Sequence, residues 1–282
     1  MSANVLYDAP GPKAKARNRV YAVVGSLILV GLIGVSVMRL ADKGHLAPEM
    51  WDIFNYAGIR QNIADGLLAT LKAFGIAAVG SLVLGVLLAL GKLSDHRAVK
   101  WAATAFVEVF RSIPLLITIY AVWVGFLTDY SMWALALGLS VYNGCVQAEI
   151  LRAGVESIPR GQGEAAYSLG MRKHQVMMTV LLPQAVRAML PTIISQLVVT
   201  LKDTSLGFII LYPELLQTAR LIAGNTQVNG QYPYVSTTVV IGAIYILLCL
   251  ALSGLATWIE KRGRRTARKT KPAAAPTAST AG

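Results

Sequence analysis

Six apolar runs divide this chain, at 20–40, 63–91, 101–127, 132–155, 184–211 and 235–259. Each reaches the roughly 20 residues that a helix needs to cross the hydrocarbon core of a bilayer. Lys13, Lys15, Arg17 and Arg19 precede the first run, Lys92, Arg97 and Lys100 fall around the turn between the second and third, and Lys261 to Arg265 follow the last. Lysine and arginine mark the cytoplasmic side. The pattern therefore predicts both termini inside and the segments 41–62 and 212–234 outside, with Trp51 and Tyr56 as interfacial anchors. The expected fold is an all-α integral membrane protein, a polytopic helical bundle of about six transmembrane helices. Residues 1–19 are expected to be a disordered cytoplasmic leader, 20–40 an additional span, 61–260 the core, and 261–282 a basic disordered tail. The first run is long for a signal-peptide core, and Met38-Arg39-Leu40-Ala41-Asp42 offers no usual cleavage site, so it reads as a retained helix.

Several positions interrupt the apolar pattern. Gly75, Gly80 and Gly85 repeat at intervals of five beside Ala77 and Ala78, which suits close helix packing in lipid. Pro114, after Phe110-Arg111-Ser112-Ile113, favours a kink. Arg111 beside it is either a snorkelling interfacial charge or a gating and binding residue. The fourth run turns polar in its second half with Asn143, Gln147, Glu149 and Arg152. Glu149 and Arg152 are three apart and suit an ion pair on one helix face; a helix-packing lock and a wet substrate path both account for such groups at this depth. In the fifth run, Pro191 interrupts the first half, and Lys202-Asp203-Thr204-Ser205 lies in apolar surroundings. Either the two charges neutralise each other locally, or the four residues line a cavity; the two extra hydroxyls favour the cavity.

Residues 157–183 are polar and fall between two runs on the cytoplasmic side. Ser157 suits an N-cap with Pro159 in the opening turn, and Gly170 suits a left-handed helix end. From Lys173 a second helix places Val176, Met177, Val180 and Leu181 on one side, until Pro183 turns the chain back to the membrane. The expected product is a helix-turn-helix knob with a small apolar surface.

Composition narrows the class. A chain of 282 residues that is 55% hydrophobic and 14% charged, with mean hydropathy +0.56, is too apolar for a soluble globular domain. The net charge of +12 clusters beside apolar runs, where it sets topology and meets anionic lipid, so nucleic-acid binding is excluded. Cys145 and Cys249 both lie in apolar runs, which argues against a disulfide framework. A phosphate-binding loop is missing: Gly85 lies one residue too far from Gly91-Lys92, and Leu93 stands where Ser or Thr is needed. His45, His96 and His174 are scattered singly, and no Gly-x-Ser-x-Gly elbow accompanies a usable histidine. The chain is expected to have no catalytic residues, no metal and no cofactor of its own.

Glu164-Ala165-Ala166, Gly170 four residues later, and Val180-Leu181-Leu182-Pro183 after nine more resemble the coupling loop of permease subunits of ATP-binding-cassette importers, with Val180 in place of the family's Ile. Three further elements resemble the branch of that family that imports polar amino acids. They are Phe110 to Leu116, where Ser112 and Ile113 replace Gly and Thr, the run Tyr142 to Gln162, and Lys202 to Leu206. The resemblance implies a type I ABC importer permease fold with coupling helices at 157–183, in which Glu164, Ala165, Ala166, Gly170 and Pro183 meet separate ATPase subunits that bind the ATP. It also implies a second permease subunit, identical or related, an extracytoplasmic solute-binding protein, and a place in the bacterial inner membrane. Asn143, Glu149, Arg152, Lys202, Asp203, Thr204, Ser205 and Arg111 are the candidate substrate path. The opening Met1 to Lys13 resembles the start of a permease from a glutamate uptake system, and Arg111, Arg152 and Lys202 suit a dicarboxylate. Glutamate is the first expectation, with glutamine, arginine and cystine behind it, since Glu149 or Asp203 equally suits an ammonium. A passive channel, an exporter or a docking scaffold is the alternative class, separated by whether an ATPase co-purifies.

Overall fold

The computed structural model describes residues 11–269, and its long elements are all helices. α1 (Pro12–Asp42) opens on a proline in its first turn. Lys, Ala and Arg follow it, and these are good helix formers. Residues 12–19 therefore extend the first span where a separate leader was expected; residues 1–10 of that leader lie outside the described residues. No residue of α1 is buried, so its apolar side chains face outward along its length. α2 (Glu49–Asp52) and a 3₁₀ turn (Ile53–Asn55) lead into α3 (Ala57–Lys92), and Met50 and Ile53 are buried there.

The third apolar run is divided into α4 (Arg97–Ser112) and α5 (Leu115–Phe126), bent by 102°. Ile113 is extended at φ −84, ψ 129, the conformation imposed on a residue that precedes proline. Pro114 thus breaks the helix outright, beyond the kink expected. Among the described residues, five helices are long and apolar enough to span a membrane, or six if the bent pair counts as one span.

α6 (Ser131–Glu156) is the central element, and its pairing with α3 is the most extensive in the described chain. The buried positions of α3, Gly66, Thr70, Ala73, Ala77, Ser81, Gly85, Ala89 and Lys92, recur every three or four residues and so form one helix face. The approach is close: a Cβ at Gly80 would lie 2.3 Å from Ser140 Oγ, and one at Gly85 would lie 2.6 Å from Gln147 Cβ. Gly75 faces open space, so the interval of five is not the packing stripe.

The remaining elements are α7 (Arg160–Ser168), α8 (Lys173–Gln175), a π-helical turn (Val176–Leu181), α9 (Leu182–Asp203), a 3₁₀ stretch (Thr204–Ile210), α10 (Leu215–Asn225) and α11 (Tyr234–Lys269). Pro183 does not turn the chain back. The helical path from Lys173 to Ile210 is continuous, and the wide π turn just before Pro183 accommodates a residue that cannot donate to the preceding turn. Pro191 is likewise inside an unbroken helix. α11 runs on into the basic flank as far as Lys269, so the expected tail begins as helix; residues 270–282 lie outside the described residues.

The loop after α9 is anchored by Glu214, which is fully buried. Its carboxylate caps α10 by accepting from the backbone N–H groups of Leu216 and Gln217, both at 2.7 Å, and it accepts from Tyr245 Oη at 2.8 Å. Burial pushes this carboxyl up to about 6, and those three hydrogen bonds work in the opposite direction.

Candidate functional site

Ser157 does not cap the knob. It ends α6, and its hydroxyl donates to the Gly154 carbonyl at 2.8 Å. Extended Pro159 precedes α7 instead, at φ −53, ψ 130. Gly170 ends α7 as expected, at φ +78. Its N–H donates to Tyr167 O at 2.9 Å and the Met171 N–H to Ala166 O at 3.3 Å, the paired pattern of a glycine-terminated helix. The second arm opens at Lys173, with Gln175 Oε1 accepting from the Arg172 N–H at 2.8 Å.

The knob's apolar surface differs from the expected one. Val176 is fully buried, while Leu169 is 83% exposed and Tyr167 and Met178 about half exposed. Of the sequence-predicted coupling residues, Glu164, Ala165, Gly170 and Pro183 are exposed, and Ala166 packs inward. The exposed tip is thus Tyr167, Leu169 and Gly170. Sequence reasoning passed over Tyr167 and Leu169 because the helical spacing beyond Lys173 offered a more regular apolar stripe.

Above the knob a polar column runs along α6, facing α3 at Glu149 and α9 at Gln147 and Asn143. α6 and α9 are antiparallel, since Gly154 meets Ala185 and Met189 while Asn143 meets Gln196. Glu149 accepts from Lys92 Nζ, from Arg152 Nε at 3.0 Å and from Arg152 Nη2 at 2.9 Å. Arg152 Nη1 also donates to Glu156 at 2.6 Å, and Lys92 lies 3.5 Å from Glu108. The expected Glu149–Arg152 pair is present, with Lys92 as a third member. Further up, Gln147 Nε2 donates to Ile193 O at 3.2 Å, and Gln196 Nε2 donates to Asn143 Oδ1 at 2.8 Å. Asn143 and Gln147 are fully buried, and Gln147 Oε1 has no hydrogen-bond partner among the described residues.

At the far end of α9, Lys202 is exposed, Asp203 and Ser205 are half-buried, and Thr204 is fully buried with its hydroxyl donating to Leu201 O at 2.7 Å. Arg111 is exposed on the last turn of α4. The structure therefore brings Glu149 and Arg152 together but not with Lys202. Six residues along α6 and six along α9 separate them through the Asn143–Gln196 contact, about 18 Å at 1.5 Å per residue. Lys92 and Gln196 escaped the sequence reading because their partners lie 57 and 53 residues away. Cys145 and Cys249 are free thiols, and no cluster of metal-ligating side chains occurs among the described residues.

An α6-centred bundle with an exposed knob and a polar column is the membrane component of a transport system. Residues 81–265 match the family described as binding-protein-dependent transport system inner membrane component, and the chain belongs to that family. Among curated relatives, the glutamate transport system permease protein GluD of Corynebacterium glutamicum is 37% identical over 233 residues, 80% of this chain and 84% of that one. The glutamate/aspartate import permease protein GltK of Escherichia coli is 35% identical over 214 residues, 71% of this chain and 92% of that one. Among solved structures, the crystal structure of an amino acid ABC transporter with histidines matches with TM-score 0.64 and 30% identity, covering 72% of this chain and 94% of the other. The family model begins at residue 81, so α1 lies outside the matched region.

Proposed function

We propose that this chain is the non-catalytic membrane subunit of an ATP-driven importer of polar amino acids, with glutamate as the substrate. The observation that carries the reading is the continuity of the exposed knob with the two helices that hold the polar column, α6 directly before it and α9 directly after. Displacing the knob displaces α6, which carries the column, and α9, which flanks its Gln147 and Asn143 end. The names borne by the two glutamate relatives, and the exposed cations Arg111 and Lys202, support an acidic substrate. In this reading ATPase subunits seat on Tyr167, Leu169, Gly170 and the residues around Glu164. A second permease copy or relative completes the path along Lys202 and Arg111, and a solute-binding protein delivers substrate to the face bearing α10. Both termini are cytoplasmic in the bacterial inner membrane. Half-buried Asp203 and Ser205 line the path, fully buried Asn143 and Thr204 stand behind its wall, and Glu149 with Arg152 stands at its inner end. Alternating access follows as population of two states by a ligand bound at a remote site.

The test is substrate-stimulated ATP hydrolysis by the complex reconstituted with its ATPase and binding protein, across a panel of amino acids. Stimulation by glutamate and aspartate is the expected result; stimulation by basic or neutral amino acids alone removes the acidic-substrate reading. In the same assay Lys202→Ala is expected to lower glutamate uptake about 10- to 100-fold, the size of one hydrogen bond to a charged group, with ATPase association unchanged. Wild-type uptake kinetics in that variant would return Lys202 to a structural role.

A further inference from the structure

Both ends of the knob are tethered by charge to the same short segment, the cytoplasmic end of α3 and the turn that joins it to α4. On the incoming side, Glu156 is the last residue of α6. It holds Arg152, Arg152 holds Glu149, and Glu149 holds Lys92, the last residue of α3, whose side chain is only 8% exposed. On the outgoing side, Lys173, the first residue of α8, donates from Nζ to Asp95 in the turn between α3 and α4. α4 is fixed to the same place twice: Lys92 lies 3.5 Å from Glu108, and a Cβ at Gly91 would lie 2.9 Å from Ala103 Cβ. The Lys173–Asp95 pair is solvent-exposed, and such a pair contributes little stability by itself. Its effect is positional, because together with the inner chain it holds the segment at two points that flank the knob.

We infer that residues 92–95 form a mechanical relay that travels with the knob and passes its displacement to α3 and α4, in addition to the direct route through α6 and α9. This rests on the reading of the knob as the ATPase-docking element. The relay gives a second input to α4, the helix that ends at Arg111 and the Pro114 break and that also packs on α6 through Val107. A packed bundle transmits such a shift because its close contacts switch between arrangements and do not deform gradually.

The experiment uses the full complex in proteoliposomes. Asp95→Cys and Lys173→Cys are combined and joined by a short bismaleimide, with linkage quantified by mass spectrometry of the linked peptides. If the turn and the knob move as one, the linked complex retains at least half of its uptake rate; a loss of tenfold or more shows that they separate during turnover and overturns the proposal. Charge reversal tests whether the tether matters. Asp95→Lys and Lys173→Asp are each expected to lower the amino acid imported per ATP hydrolysed about two- to threefold, and the double swap is expected to restore it. That ratio is insensitive to the amount of folded protein. Singles at the wild-type ratio, or a swap that fails to restore it, overturn the relay. Gly170→Asp runs alongside: normal uptake there removes the docking reading and the relay with it, whereas lost uptake there with a stalled cross-link removes the relay alone.

Discussion

Gly170→Asp is expected to abolish uptake, by at least about tenfold, while the chain still inserts in the membrane. Two effects act together. Gly170 sits at φ +78, where a side chain costs about 1–2 kcal/mol, so the turn that ends α7 and sets the direction of the second arm is strained. A Cβ built there meets nothing within 4 Å, so the new carboxylate is not crushed inside the knob. It projects from the exposed tip beside Leu169, into the surface proposed to seat an ATPase. There an unpaired charge that becomes buried on docking costs several kcal/mol, more than the strain and enough to stop productive docking. Glu164→Lys is expected to act in the same direction by reversing a charge on the same exposed helix. The measurements are uptake in cells or proteoliposomes, the amount of chain in the membrane fraction, and ATPase retained on purification. Normal uptake with both substitutions would remove the coupling assignment.

Much of this arrangement is legible in the residues, for physical reasons that also mark where reading stops. Apolar length and flanking charge identify the spans because a bilayer imposes both. Gly170 was legible because a positive φ is a local property, and the Glu149–Arg152 pair because three residues along a helix fix a distance. Long-range partners were not: nothing local in Lys92 distinguishes a lysine that marks the cytoplasmic side from one drawn into a buried network. Pro183 and Pro191 read as a turn and an interruption in the sequence, yet the helical path stays intact because neighbouring turns absorb the missing donor, at Pro183 through the π turn before it. Pro114 was underestimated for the opposite reason, since Ile113 adopts the extended form and ends α4 altogether. Ser157 suits either end of a helix, and only the position of Gly154 O decides that it belongs to α6.

Glu149→Ala is expected to destabilise the chain by about 2 kcal/mol, because removing one member of a partly buried ion pair leaves the buried Lys92 charge uncompensated. Lys92, at 8% exposure, would keep only Glu108 at 3.5 Å, a carboxylate that is itself largely exposed. Arg152 loses less, since Glu156 at 2.6 Å still holds it. The cost therefore falls on the α3–α6 seam, where Gly85 and Gly144 already allow close approach. Glu149→Gln should cost less, as one side-chain oxygen still accepts from Lys92. A thermal unfolding series in detergent checks the ranking, with Glu149→Ala melting lowest, Glu149→Gln between and the wild type highest. The same series separates the two roles open to this residue. A packing lock predicts that uptake per folded molecule falls no further than stability does. If both variants melt with the wild type and yet fail to transport, Glu149 holds substrate in the path, and the ion pairs seen here belong to one state of a group that exchanges partners during turnover.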